Sequence, residues 1–83
     1  MKIKFTGRAR KDAEALDSLT RKRIRKKLDW YMSHDNPLVF ADSLTDFKIG
    51  QYRYRIGDYR VIFEVGGDTI YVTRINHRKE VYR

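Results

Sequence analysis

At 83 residues the chain is one domain, and a domain this small buries only about 60% of its unfolded surface. Apolar residues make up 41% and aromatics 13%, enough for a thin globular core, and with no cysteine there is no disulfide, thiolate nucleophile or cysteine metal site. Nineteen Lys and Arg against eleven Asp and Glu leave a net charge of +8. Such a balance is matched to a polyanion: nucleic acid first, an acidic protein next, a membrane surface third.

KIKF (Lys2–Phe5) alternates polar and apolar residues and predicts a first strand with Ile3 and Phe5 inward. From Thr6 to Leu16 the apolar spacing turns helical, with Ala9, Ala13 and Leu16 on one side and Thr6 as N-cap. Asp17 or Ser18 caps a second helix over Leu19–Ser33, whose apolar face is Ile24, Leu28 and Tyr31. The short link makes the pair a helical hairpin. Pro37 ends it, since the residue before a proline avoids helix. The segment 38–50 reads as a loop with at most one helical turn. Tyr52–Ile56, Tyr59–Val65 and Thr69–Ile75 read as three strands joined by GD and GGD turns. A tail follows, with a short extended piece at Glu80–Tyr82. The expected class is α+β: an N-terminal strand and a two-helix hairpin packed on one face of a three- to four-stranded antiparallel sheet, the other face left open. No apolar run approaches the roughly 20 residues of a membrane span. MKIKFTGRAR has no apolar signal core. The expectation is a cytoplasmic protein with no membrane partner.

The stretch YRYRIGDYRVIFEV (52–65) is the most informative. A two-residue turn at Gly57-Asp58 pairs Ile56 with Tyr59, Arg55 with Arg60, Tyr54 with Val61 and Arg53 with Ile62. Tyr52, Tyr54, Ile56, Tyr59, Val61, Phe63 and Val65 then share the core face. Arg53, Arg55, Arg60, Ile62 and Glu64 share the other. Like charges opposite each other on a sheet are destabilising, so an Arg55–Arg60 pair on an open face points to an anion site, for which guanidinium forks suit phosphate. The alternative is three unrelated surface arginines partly neutralised by Glu64. The tail adds His77, Arg78, Lys79 and Tyr82. His77 is a candidate proton shuttle. Tyr82 is a candidate base if cations lower its pKa, or a half-buried anchor for the tail. Tyr71 falls on the arginine face as a weak stacking candidate. His34, at a helix end, is better explained as a cap. Residues 8–27 carry nine Lys or Arg. Arg21, Lys22, Arg25 and Lys26 are either a solvated helix surface or a sequence-independent grip on a phosphate backbone. No metal-ligand cluster, Gly-rich phosphate loop or paired carboxylates stand out.

The helical hairpin, the NP loop, RIGDYRVIFEV and the later HRKEVY together resemble the RelE/ParE toxin superfamily of bacterial type II toxin–antitoxin systems, over nearly the whole chain. What the resemblance implies is a ribosome-dependent endoribonuclease that cuts mRNA in the decoding site without metal or cofactor, by attack of the 2′-hydroxyl on the adjacent phosphate. It implies catalytic roles for Arg60, Arg78 and Tyr82, with His77 as a proton donor on chemical grounds. It assigns RNA binding to Arg53 and Arg55; the reading of the residues themselves adds Lys79 and Tyr71 beside them and offers Arg21, Lys22, Arg25 and Lys26 as a contact with the ribosomal backbone. Arginine stands at 53 and 55 where lysine is typical of the best-known members, and arginine holds phosphate but does not shuttle a proton. The implied partners are the ribosome, mRNA and an acidic antitoxin, the toxin being monomeric when free and hetero-oligomeric with the antitoxin. Two other readings stay open: a ParE-like DNA gyrase inhibitor, and a non-catalytic RNA-binding module on the same fold.

Overall fold

In the computed structural model, which describes residues 1–46 and 48–79, the order is β1 (Lys2–Phe5), α1 (Gly7–Glu14), α2 (Ser18–Met32), a 3-10 turn (Pro37–Phe40), β2 (Asp42–Ser43), β3 (Tyr52–Ile56), β4 (Tyr59–Gly66) and β5 (Thr69–His77). The caps follow from side-chain chemistry. The Thr6 hydroxyl accepts from the Ala9 amide at 3.2 Å, and Asp17 accepts from the Thr20 amide at 3.1 Å and the Thr20 hydroxyl at 2.6 Å. Each ties up an amide that the first helical turn leaves without a carbonyl.

The α+β class holds, with two differences in the sheet. It has five strands in the order β1-β5-β4-β3-β2, and β1 runs parallel to β5 rather than completing an antiparallel meander. The fifth strand, Asp42–Ser43, comes from the segment read as loop and pairs with Tyr52 and Arg53. Two polar residues carry no alternation to read, so this strand has no sequence signal. At the β3–β4 turn Gly57 has φ of 58° while no described non-glycine residue has positive φ. That combination fits a type II′ turn, which matches the strand twist and fixes the register.

The core lies between the helices and one sheet face: Ala9, Ile24, Leu28 and Tyr31 against Tyr54, Ile56, Val61, Phe63, Ile70, Val72 and Ile75. Its centre is a run of rings. Tyr31 stacks on Tyr54 at 4.2 Å, Tyr54 on Phe63 at 4.7 Å and Phe63 on Tyr52 at 5.5 Å. Such pairs contribute about 0.5–1.5 kcal/mol each beyond burial. The opposite face is not wholly open. Ile62 points there yet is 1% exposed, because the loop before β3 crosses it: a Cβ on Gly50 would sit 2.5 Å from Ile62 Cγ2.

The fully buried Tyr54 hydroxyl donates to the Pro37 carbonyl at 2.8 Å. Burial, and then the neighbouring Tyr31, push its pKa up to about 12 from an ordinary 10.0. A raised folded-state pKa means the neutral phenol's contribution is intact below pH 10 and fades as pH climbs toward 12. Tyr54→Phe keeps the ring stack but strands a carbonyl. We expect it to cost about 1–2 kcal/mol at pH 7 and to flatten this alkaline loss, both measurable by urea titration across pH.

One irregularity decides what faces what. Ile62 pairs with Arg74 and Phe63 with Val72, so Thr73 is an extra residue in β5, its hydroxyl donating to the Ile62 carbonyl at 3.3 Å. A bulge of one residue inverts the alternation beyond it. Ile70, Val72 and then Ile75 and His77 share the core side; Tyr71 and then Arg74 and Asn76 share the other.

Candidate functional site

The register of the β3–β4 hairpin is the expected one, with Arg55 opposite Arg60 and Arg53 opposite Ile62. Just past β5, the Arg78 amide donates to the Asp58 carbonyl at 2.7 Å, holding Arg78 beside the hairpin turn. Arg60 sits at the centre. Its pKa is lowered from the ordinary value, first by burial and then by Arg53, Arg55 and Arg78, while Asp58 pulls the other way. A guanidinium stays charged at neutral pH regardless, so the shift reflects partial burial first and the three neighbouring cations second.

Counter-charge is present but peripheral. Asp42, on the two-residue strand opposite Arg53, places one carboxylate oxygen 3.3 Å from Arg53 Nε and 2.8 Å from Arg55 Nε. Arg78 Nε lies 3.7 Å from Asp58. Arg60 Nη1 donates to the Tyr59 carbonyl at 3.0 Å and the Gly57 carbonyl at 3.3 Å. No carboxylate of a described residue comes within 4.0 Å of it, as an ion pair would require. The contact of Asp42 with both Nε atoms orients Arg53 and Arg55 along the sheet. Sequence reasoning assigned the balancing charge to Glu64, which instead pairs with Tyr71 four residues up β4 from Arg60. At about 3.3 Å per residue that is roughly 13 Å away.

The other candidates divide. Tyr71 is on the arginine face and 39% exposed, but at that far end, with its ring against Gly66. His77 is not brought to the cluster. The Thr73 bulge turns it to the helix side, where it pairs with Tyr59, meets that ring edge-on at 5.3 Å, and accepts from the Lys79 amide through Nδ1 at 3.3 Å. The sequence left the direction of His77 open; the strand register places its ring on the helix side, beside Tyr59. Lys79 is exposed in the turn after β5. Tyr82, with the extended piece at 80–82, lies outside the described residues. The helix set is not one surface. Arg21 Nη1 donates to the Ala13 and Leu16 carbonyls at the end of α1, and Arg21 and Arg25 border a groove between the helices. Lys26 borders a different groove beside β3, and Lys22 is exposed. His34 Nδ1 donates to the Trp30 carbonyl at 2.7 Å, a capping bond at the end of α2. No three described His, Asp or Glu side chains are placed to hold a metal ion, and no described helix is long and apolar enough to cross a membrane.

Residues 3–82 match the family described as the ParE toxin of the type II toxin–antitoxin system parDE. The chain belongs to the RelE/ParE family of type II toxins. Toxin RelE3 of Methanocaldococcus jannaschii is 33% identical to this toxin over 91 aligned residues, covering 99% of this chain and 96% of that protein. A chain of the RelB–RelE antitoxin–toxin complex from Methanococcus jannaschii superposes with a TM-score of 0.71 at 30% identity, over 94% of this toxin and 93% of that chain. The fold is also that of a chain of the RelBE2 toxin–antitoxin complex of Mycobacterium tuberculosis, with a TM-score of 0.78 at 24% identity, over 93% and 96%.

Proposed function

We propose that this toxin cuts mRNA on the ribosome as a metal-free endoribonuclease, with the arginine face as its active surface. The observation that carries the reading is the convergence of Arg53, Arg55, Arg60 and Arg78, with a central guanidinium that has no carboxylate of a described residue within 4.0 Å. Such a cluster costs stability in the free protein and is repaid by a phosphate. In the reaction the 2′-oxygen bonds to the adjacent phosphorus as the bond from phosphorus to the 5′-oxygen breaks. The products are a 2′,3′-cyclic phosphate and a 5′-hydroxyl. Arg60 and Arg78 stabilise the charge that grows on the non-bridging oxygens. Arg53 and Arg55 hold the flanking backbone. The family resemblance assigns the base to Tyr82, whose phenolate form would take the 2′-hydroxyl proton. Arginine is a poor acid and His77 is on the other face, so the 5′-oxygen takes its proton from water.

The relatives solved as complexes support an acidic antitoxin as partner, masking the basic face of an otherwise monomeric toxin. The match to a family described by ParE favours a second reading, a gyrase inhibitor acting by protein contact. Inducing wild type and Tyr82→Phe in cells and mapping mRNA 5′ ends separates them. Cuts within translated codons that the variant lacks uphold the nuclease with Tyr82 in the chemistry. Growth arrest with DNA damage and uncut mRNA transfers the reading to gyrase. RNA binding without either outcome leaves the non-catalytic module.

A further inference from the structure

The basic residues of α2 divide between its two sides, and the side toward β3 has a chemistry that the arginine face does not use. Arg23, Lys26, Lys27 and Trp30 recur at the i, i+3, i+4, i+7 spacing that puts side chains on one helical stripe. This stripe borders a groove of about 560 Å³ whose other wall is Arg55, Ile56 and Gly57. β2 covers β3 only at Tyr52 and Arg53, so the edge of the sheet is open where the groove begins. Arg23 reaches the hairpin turn: its Nη1 lies 4.0 Å from where a Cβ on Gly57 would be. Lys27 Nζ sits 4.4 Å from the centre of the indole of Trp30, which is 47% exposed. The groove lining contains four cations and no acidic residue. Among the described residues, Arg23, Lys26 and Lys27 make no ion pair.

Resting on the nuclease reading above, we propose that this groove is a subsite for the same RNA strand that the arginine cluster grips. Phosphates of a single strand leaving the cluster pass over the edge of β3 onto Arg23, Lys26 and Lys27, and one base stacks on Trp30. Continuity favours this occupant. Arg55 belongs to both places, tied to Asp42 beside Arg53 and lining the groove beside Lys26. Charge complementarity favours a polyanion, and an exposed indole adjoining a row of cations is the pairing that single-stranded nucleic acid uses. The groove volume accommodates a nucleotide. Lys27, already over the indole, has its phosphate within reach once a base takes its place on the ring.

Trp30 is the chain's only tryptophan, so its fluorescence reports this groove alone. The probe is a short dye-labelled oligouridylate, read by dye anisotropy for total binding and by indole emission for the groove. The comparison is between wild type and the triple variant Arg23→Gln, Lys26→Gln, Lys27→Gln, with thermal melting as the folding control. Expected are quenching on binding in wild type and affinity lower by roughly tenfold or more in the variant. At about 0.7 per phosphate contact on a single strand, the slope of log affinity against log salt should also fall by about 2. Anisotropy that rises with no change in indole emission, or equal salt slopes for both proteins, overturns the groove while leaving the nuclease reading standing. Equal quenching by polyglutamate also overturns it, in favour of an acidic protein occupant. If the oligouridylate does not bind at all, the groove proposal falls, and the nuclease reading is judged separately by the mapped mRNA ends.

Discussion

Arg60→Gln should lower the rate of ribosome-dependent cleavage by about 10²–10³-fold, the usual consequence of deleting one group aimed at developing charge, without lowering the melting temperature. The two halves of this expectation come from one feature. Arg60 is surrounded by Arg53, Arg55 and Arg78, its hydrogen bonds to described residues go to backbone carbonyls, and only the more distant Asp58 opposes the cations. In the free protein it is electrostatically uncomfortable, and replacing it with a neutral, shorter polar side chain relieves repulsion of a few tenths of a kcal/mol or more. On the proposed mechanism its charge is what the phosphate needs in the transition state. Single-turnover cleavage and a thermal melt on the same preparation check both. A residue that served only the fold would show the reverse pattern, with stability falling and the rate per folded molecule preserved.

Asp12→Ala should lower stability by about 2–3 kcal/mol, which for a domain of this size moves the melting temperature down by roughly 10–20 °C. β1 pairs with β5 only from Thr69 to Val72, so the rest of β5 is an uncovered edge. Such an edge is a liability unless something closes it. Here α1 does so. One oxygen of Asp12 accepts from both the Ile75 amide and Arg74 Nε, each at 2.9 Å, in a carboxylate whose side chain is 13% exposed. Removing it leaves that amide and guanidinium without their carboxylate in a half-buried setting. Asp12→Asn, which keeps an acceptor oxygen, should recover about half of the loss. The effect reaches the site, because Arg78 follows the same end of β5. Calorimetry of the three proteins measures it; a fall of only a few degrees for Asp12→Ala would show that other contacts secure the edge.

Much of the arrangement was readable because it is local. The Gly57-Asp58 turn sets the hairpin register, and two-residue periodicity then puts Arg53, Arg55 and Arg60 together and sends Tyr54, Val61 and Phe63 to the core. The helices were legible from the spacing of Ala9, Ile24, Leu28 and Tyr31 and from their Thr6 and Asp17 caps. What was not readable is long-range or breaks a period. Nothing in YVTRINH marks Thr73 as the extra residue of a bulge, and that one position decides that His77 faces Tyr59 instead of the arginines. Asp42 balances Arg53 and Arg55 across 11 and 13 positions from a strand of two residues. Asp12 meets Ile75 across 63. Carboxylates of this kind look like any surface acid until the chain folds. The division of the basic residues of α2 was missed for a related reason: RKRIRKK covers every direction around the helix, and only the neighbouring elements distinguish its sides.

The central claim is that the arginine face performs phosphate chemistry on mRNA held by a ribosome. The most direct measurement incubates the purified toxin with a defined mRNA, alone and on programmed ribosomes, and reads the chemistry of both new ends. The account predicts cleavage only on the ribosome, leaving a 2′,3′-cyclic phosphate and a 5′-hydroxyl, and its near-complete loss in Arg60→Gln. Intact mRNA in both settings, with purified gyrase inhibited by the same preparation, would contradict it.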